Sequence, residues 1–143
     1  MKLEVWGRRN SLNVQKVMWL VGELGISVNH IPAGGDFGRL NTAAFLVINP
    51  HGRVPVIRDG DVIVWESQAI LRYLAATYGR DVFWADSAAE RSESDRWMEW
   101  AQSNLQPVFL SGIFWGFYRT PEHLRNMREI ESKVARCAEY MQL

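Results

Sequence analysis

The residues from Asn49 to Ser67 combine a turn, a strand interrupted by proline, a tight hairpin and a polar helix start. Asn49-Pro50-His51-Gly52 reads as the turn, and Arg53-Val54-Pro55-Val56-Ile57 as the strand. A proline there removes a ladder donor, so it requires an edge, a bulge or a special isomer. Asp59-Gly60 between β-branched runs is a hairpin signal in which both central positions want positive φ. Trp65-Glu66-Ser67 then opens an apolar-periodic segment whose unpaired backbone N–H groups can hold an anion. Together these pieces look like a peptide-binding edge. Ser11 and Asn13 are a second pair of polar donors, placed where a first strand hands over to a first helix. Ser11 or Asn10 also fits there as a plain helix N-cap, without chemistry.

The surrounding pattern supplies the elements that position these residues. Leu3, Val5 and Trp6 suggest a first strand, and apolar residues at 14, 17, 18, 21 and 24 recur with the helical period up to Gly25. Ile26 to Ile31 alternates like a strand, giving a β-α-β unit that is most simply a parallel pair with a crossover helix. A glycine-containing loop and an irregular short helix over 40–48 lead to the hairpin, and a helix over 67–78 follows it. The expected fold is an α/β thioredoxin-like domain over 1–78, βαβ–α–ββα with a mixed four-stranded sheet and helices on both faces. A linker over 79–87 leads to a partial all-helical domain over 88–143. There Pro107 is expected to end or kink a helix over 88–106. Thr120-Pro121 is expected to start the last helix. Leu124, Met127, Ile130, Val134, Ala138 and Met141 line one stripe of it.

In order and spacing these motifs resemble the glutathione transferase family, specifically its bacterial serine-type, theta-like members. The matching residues are Ser11 to Val17, Val54-Pro55, Glu66-Ser67 with Ile70-Leu71-Arg72-Tyr73-Leu74, and Arg96-Trp97-Met98-Glu99-Trp100, so the resemblance covers nearly the whole chain. It implies a cis bond before Pro55, main-chain hydrogen bonds from Val54 to the cysteinyl unit of glutathione, and γ-glutamyl recognition by Glu66 and Ser67. Arg53, or less readily His51, would take the glycyl carboxylate, since a guanidinium fork suits that group. Ser11 first and Asn13 second are the expected thiolate donors. Phe109 and Trp115 would wall the electrophile pocket, though aromatics at helical spacing also fit a plain core. The resemblance further implies glutathione as co-substrate, a hydrophobic electrophile, no metal, and a homodimer.

The chemistry demanded is specific. A free thiol titrates near ~8.5 and is only roughly 3% thiolate at neutral pH. Bringing it down to ~6.5 makes roughly three-quarters thiolate, for about 2.7 kcal/mol of differential stabilisation. A hydroxyl or amide at a helix N-terminus acts on that scale. No cysteine lies near these residues, which speaks against thiol exchange as the mechanism.

Composition sets the outer bounds. The 143 residues carry 16 basic and 16 acidic side chains, so no charge excess points to nucleic acid or an anionic membrane. The longest apolar stretch, 108–118, is shorter than the ~20 residues that span a bilayer. Its Gly112 and Gly116 make a GxxxG spacing, which outside a membrane segment says little. The single cysteine, Cys137, makes no internal disulfide and fits a reducing, cytoplasmic setting as a buried packing residue.

The pattern of the last helix runs on to Met141-Gln142-Leu143 without a stop signal, whereas family members continue with further helices. The expectation is a truncated product, a fragment, or a member that completes its core by association. A non-catalytic glutathione-binding or interaction module of the same fold is therefore the alternative to a transferase. Glutathione-dependent peroxide reduction would share the same site.

Overall fold

The computed structural model describes residues 2–142, which divide into two compact units with the boundary between Asp86 and Ser87. In the first unit, β1 (Leu3–Trp6), α1 (Leu12–Glu23) and β2 (Val28–Ile31) form the right kind of unit for a parallel pair, and β1 and β2 are parallel. A single 3₁₀ turn at Gly35–Phe37 and α2 (Ala43–Ile48) follow; β3 (Val56–Asp59), β4 (Val62–Trp65) and α3 (Ser67–Tyr78) complete the unit. The sheet order is β2-β1-β3-β4, with β1–β3 and β3–β4 antiparallel. This is the thioredoxin-like mixed sheet expected from the pattern.

Alternation along β1 and β3 sends side chains to two cores, as the period of two requires. Leu3, Val5 and Ile57 meet Val17 and Val21 of α1 and Ile70 and Leu74 of α3 on one face. Val56, with Trp6 beside it, meets Phe45 and Ile48 of α2 on the other. Val5, Val17, Val56, Ile57, Ile70 and Leu74 are all fully buried. Each such side chain contributes about 1.5–3 kcal/mol by leaving water. The helices thus fix the sheet from both sides, and the sheet ends become the platform for the site.

The hairpin differs from expectation in one detail. Asp59 and Val62 pair, so the two loop residues are Gly60 and Asp61 rather than Asp59 and Gly60. Gly60 alone of the two has positive φ, +61°, the arrangement in which glycine holds the first loop position. α2 is shorter than the expected 40–48 segment because Thr42 caps it, its hydroxyl oxygen accepting from Phe45 N at 3.2 Å.

The second unit begins with α4 (Ala88–Trp100), capped reciprocally by Ser87 and Glu90: Ser87 Oγ accepts from Glu90 N at 3.1 Å and donates to Glu90 Oε2 at 2.9 Å. Pro107 does not end this helix. The backbone stays helical through α5 (Gln106–Phe109), and the segments on either side, Ala101–Leu105 and Leu110–Tyr118, are π-helical. Pro107 falls at the start of α5, directly after the π-helical segment, where the wider preceding turn leaves room for its ring. The last helix, α6 (Met127–Tyr140), starts six residues past Pro121, because Asn126 Oδ1 accepts from Glu129 N at 3.3 Å; Pro121 instead precedes a 3₁₀ turn, Glu122–Leu124.

The buried face of α6 carries Ile130 and Cys137, while Val134, Leu124, Met127 and Met141 of the expected stripe are exposed. Close helix approach sets that face. A Cβ on Gly112 would lie 2.2 Å from Lys133 Cβ, and one on Gly116 3.3 Å from Ile130 Cγ1. The GxxxG spacing therefore marks a tight helix–helix contact in this unit.

Candidate functional site

Strand register brings three distant segments to one end of the sheet. Trp6, the last residue of β1, stands opposite Val56, the first of β3, and Val56 stands opposite Trp65, the last of β4. The chain leaving β1 toward Ser11, the chain entering β3 through Val54-Pro55, and the chain leaving β4 through Glu66-Ser67 therefore meet. Ile31, the last residue of β2, pairs with Trp6 and adds its own loop at the same end.

The β1–α1 segment is tightly held. Gly7 N donates to Ile31 O at 2.9 Å, and His30 Nε2 lies 2.8 Å from Gly7 O, which makes that ring nitrogen the protonated one. Gly7 has to be glycine, since a Cβ there would fall 2.4 Å from Val14 Cγ2. Arg8 lies across the Gly34-Gly35 turn, with its Cδ 3.1 Å from where a Cβ on Gly35 would be. Arg9, Asn10, His30, Pro32 and Phe37 line a shallow, mostly apolar recess beside it.

Ser11 occupies the N-cap position of α1 with extended backbone, φ −85° and ψ 124°, yet its hydroxyl makes no capping hydrogen bond. The plain capping role leaves its side chain unspent. Asn13, half-buried in the first turn, accepts from Lys16 Nζ at 3.1 Å through Oδ1. Lys16 is itself partly withdrawn from water, and burial pulls its pKa below the usual 10.5.

The peptide edge is built by Asn49, which sequence reasoning read only as a turn residue. Asn49 is 2% exposed; its Oδ1 accepts from His51 N at 3.0 Å, its Nδ2 donates to Arg53 O at 2.9 Å, and its own carbonyl accepts from Gly52 N at 3.0 Å. These three bonds lock 49–53 and deliver a half-buried Val54 and a buried Pro55 across a cis peptide bond, the isomer that the resemblance implies. The Arg53 side chain is exposed, and the His51 ring packs edge-on to Trp65 with centroids 5.1 Å apart. His51 is thereby tied to the end of β4.

At the start of α3, Glu66 holds φ +69°, a region that L-residues adopt at a cost. Its side chain makes no cap bond, and Ser67 behind it is 2% exposed. The first turn of a helix leaves backbone N–H groups without helical partners, and these carry the positive end of its dipole. Cis peptide and strained glutamate thus sit at the ends of neighbouring strands, and the unspent serine follows the end of β1 on the same side of the sheet. Phe109 is half-buried and Trp115 exposed in the second unit, where the Trp115 ring packs edge-on to Phe114 at 5.2 Å. Among the described residues no cluster of three or more His, Cys, Asp or Glu is placed to hold a metal, and no helix is long and apolar enough to cross a membrane.

Comparison with known proteins assigns this arrangement. The family model for the glutathione S-transferase N-terminal domain matches residues 1–76, and the chain belongs to the glutathione S-transferase family. It is 44% identical over 137 residues to glutathione S-transferase GstB of Escherichia coli K12, covering 94% of this chain and 65% of that one. The theta class glutathione S-transferase of Xanthomonas axonopodis pv. citri, solved with glutathione bound, is similar over 97% of this chain and 66% of that one, with a TM-score of 0.90 and 42% identity. The transcriptional regulator URE2 of Saccharomyces cerevisiae is 25% identical over 139 residues, 92% of this chain and 39% of that protein. The chain therefore spans just under two thirds of the length of the bacterial relatives.

Proposed function

We propose that this chain binds glutathione at the shared end of β1, β3 and β4 and activates its thiol for attack on hydrophobic electrophiles. The observation that carries the reading is the Ser11 hydroxyl: it stands at a helix N-terminus, makes no cap bond, and lies on the strand end next to Val54-Pro55 and Glu66-Ser67. Val54 would hydrogen-bond the cysteinyl unit as an added strand. Glu66 would take the γ-glutamyl ammonium, Ser67 and the first N–H groups of α3 its carboxylate. Arg53 would meet the glycyl carboxylate, with His51 beside it. The thiol would lose its proton to solvent, and Ser11 or the Asn13 amide would donate to the resulting thiolate. The thiolate then attacks the electrophilic carbon, forming a C–S bond as the leaving group departs with its electron pair. Catalysis rests on thiolate stabilisation and proximity, with no covalent enzyme intermediate.

The electrophile would pack against Phe109 and Trp115. A homodimer fits the apolar edge strand β4, where Val62, Ile63 and Trp65 are exposed and the outer backbone groups await a partner. A cytoplasmic role in detoxification is part of the same reading. The test is product formation: conjugation of glutathione to aromatic halides by the full chain, lost in Ser11→Ala, supports it.

A second reading, a glutathione-binding module without turnover, is favoured by the similarity to the transcriptional regulator URE2. Glutathione binding with no conjugation and an unshifted thiol would select it.

A further inference from the structure

Two donors stand at the start of α1, and only one is constrained. The Ser11 hydroxyl makes no capping bond, whereas the Asn13 carboxamide is held by Lys16 through Oδ1 at 3.1 Å. An ammonium group has donors and no acceptor, so it binds the carboxamide only by its oxygen. The NH₂ end must then face away from Lys16, and among the described residues it has no hydrogen-bond partner of its own. An unconstrained asparagine presents oxygen or nitrogen to a ligand by a simple flip. Toward a thiolate only the nitrogen is useful, since the oxygen would repel it.

We propose that Lys16 is a positioning residue for glutathione activation: by occupying Asn13 Oδ1 it fixes the carboxamide as a hydrogen-bond donor aimed out of the first turn of α1. The proposal rests on the reading that the glutathione sulfur lies at that turn. Two features set Lys16 apart from an ordinary surface lysine three residues along a helix. It is drawn partly out of water, at a cost to its charged form. Its bond also polarises the amide, which strengthens the N–H donors on the far side. A surface pair of this spacing contributes only a few tenths of a kcal/mol to the helix, so its effect on stability alone would be small.

The experiment measures thiolate absorbance of bound glutathione at one neutral pH. It compares the full parent chain, Lys16→Met, Lys16→Leu, Lys16→Arg, Asn13→Ala and the Asn13→Ala/Lys16→Met double variant. Calorimetry gives glutathione affinity for each, and circular dichroism confirms that each is folded. Removing the Lys16 charge lowers the thiolate-to-thiol ratio about five-fold, the net scale of one ordinary hydrogen bond. Affinity falls only about two- to three-fold, because the contacts of the thiol form lie elsewhere and only the thiolate's share of binding is weakened. Lys16→Arg retains most of the ratio, and in the Asn13→Ala background Lys16→Met adds no further loss. An unchanged ratio in both apolar variants overturns the proposal. So does an equal loss with and without Asn13, which would mean that the charge acts on sulfur directly. An unshifted thiol in the parent chain strikes down the transferase reading itself, whereas a shifted parent whose apolar Lys16 variants keep the parent ratio strikes down the role of Lys16 alone.

Discussion

Trp6 stands opposite Val56 across the antiparallel β1–β3 pair, and this one register brings Ser11 and Val54-Pro55 to the same end of the sheet. A slip by one residue would turn Val56 away from Phe45 and Ile48 and Ile57 away from Val17 and Ile70. Burial of both cores therefore enforces the site geometry. The helices do not merely cover the sheet; they fix which residues meet at its end.

Ser11→Ala should separate function from stability. A serine that caps a helix costs about 1 kcal/mol when replaced by alanine. Ser11 makes no cap bond, so its replacement should change unfolding free energy by less than about 0.5 kcal/mol while abolishing most thiol activation. Thr42→Ala, which removes a cap bond made at 3.2 Å, is the control and should lose about 1 kcal/mol. Urea denaturation of the two variants gives the comparison.

Asn49→Ala should weaken both the fold and the binding edge. It leaves His51 N and Arg53 O without their side-chain partners at a nearly fully buried position. The expected loss is about 2 kcal/mol by urea denaturation, on the scale of unsatisfied buried groups. Calorimetry should show weaker glutathione binding than for a variant of equal stability loss made on the far face, because Val54 loses its anchor.

Glu66→Gly should move stability and binding in opposite directions. Glycine tolerates φ +69° without the steric cost that glutamate bears. The variant should gain about 0.5–1 kcal/mol, strain relief less the added freedom of the unfolded chain. Glutathione affinity should fall about ten-fold, the loss of one charge-assisted contact. Glu66→Gln should lose affinity without the gain in stability.

The alkaline limb of stability should report on Asp59. Tyr73 and Tyr78 both donate to Asp59 Oδ2, at 2.8 and 2.5 Å. The hydrogen bond to Asp59 first, and burial second, pushes the Tyr78 pKa up to about 12; burial first, and Asp59 second, raises that of Tyr73. A phenol whose pKa is higher in the folded state than its ordinary 10.0 stabilises the fold below pH 10.0, and that contribution is lost as pH rises toward about 12. Lys16 acts oppositely: its lowered pKa makes the fold gain as pH rises toward 10.5. Tyr78→Phe should therefore cost about 0.5–1 kcal/mol at pH ~8, a small value because Tyr78 is 42% exposed. Its stability should also fall less steeply above pH 10.0 than that of the parent chain. Denaturation at a series of pH values reads both.

Local signals made the sheet end legible. The β-α-β periodicity, the prolyl strand and the Glu66-Ser67 helix start each carry their meaning within a few residues, and their order supplies the topology. Asn49, His30 and Lys16 were not legible, because each acts through a polar contact that composition and period do not encode. His30 shows the limit clearly: its partner, Gly7 O, is 23 positions away in sequence. In the helical unit, Pro107 does not end the helical backbone, which continues through π-helical segments on either side of it. Thr120-Pro121 misled because the Asn126-Glu129 pair supplies the stronger helix start. The expected stripe on α6 caught Ile130 of the inner face but placed the exposed Val134 and Met127 beside it, since Gly112 and Gly116 set that face by close approach rather than by hydrophobicity.

The most direct test is a titration of the full chain with glutathione, following thiolate absorbance across pH. The account predicts saturable binding with a thiol pKa well below the ~8.5 of a free thiol. Saturable binding with an unshifted thiol, or no binding at all, would contradict it.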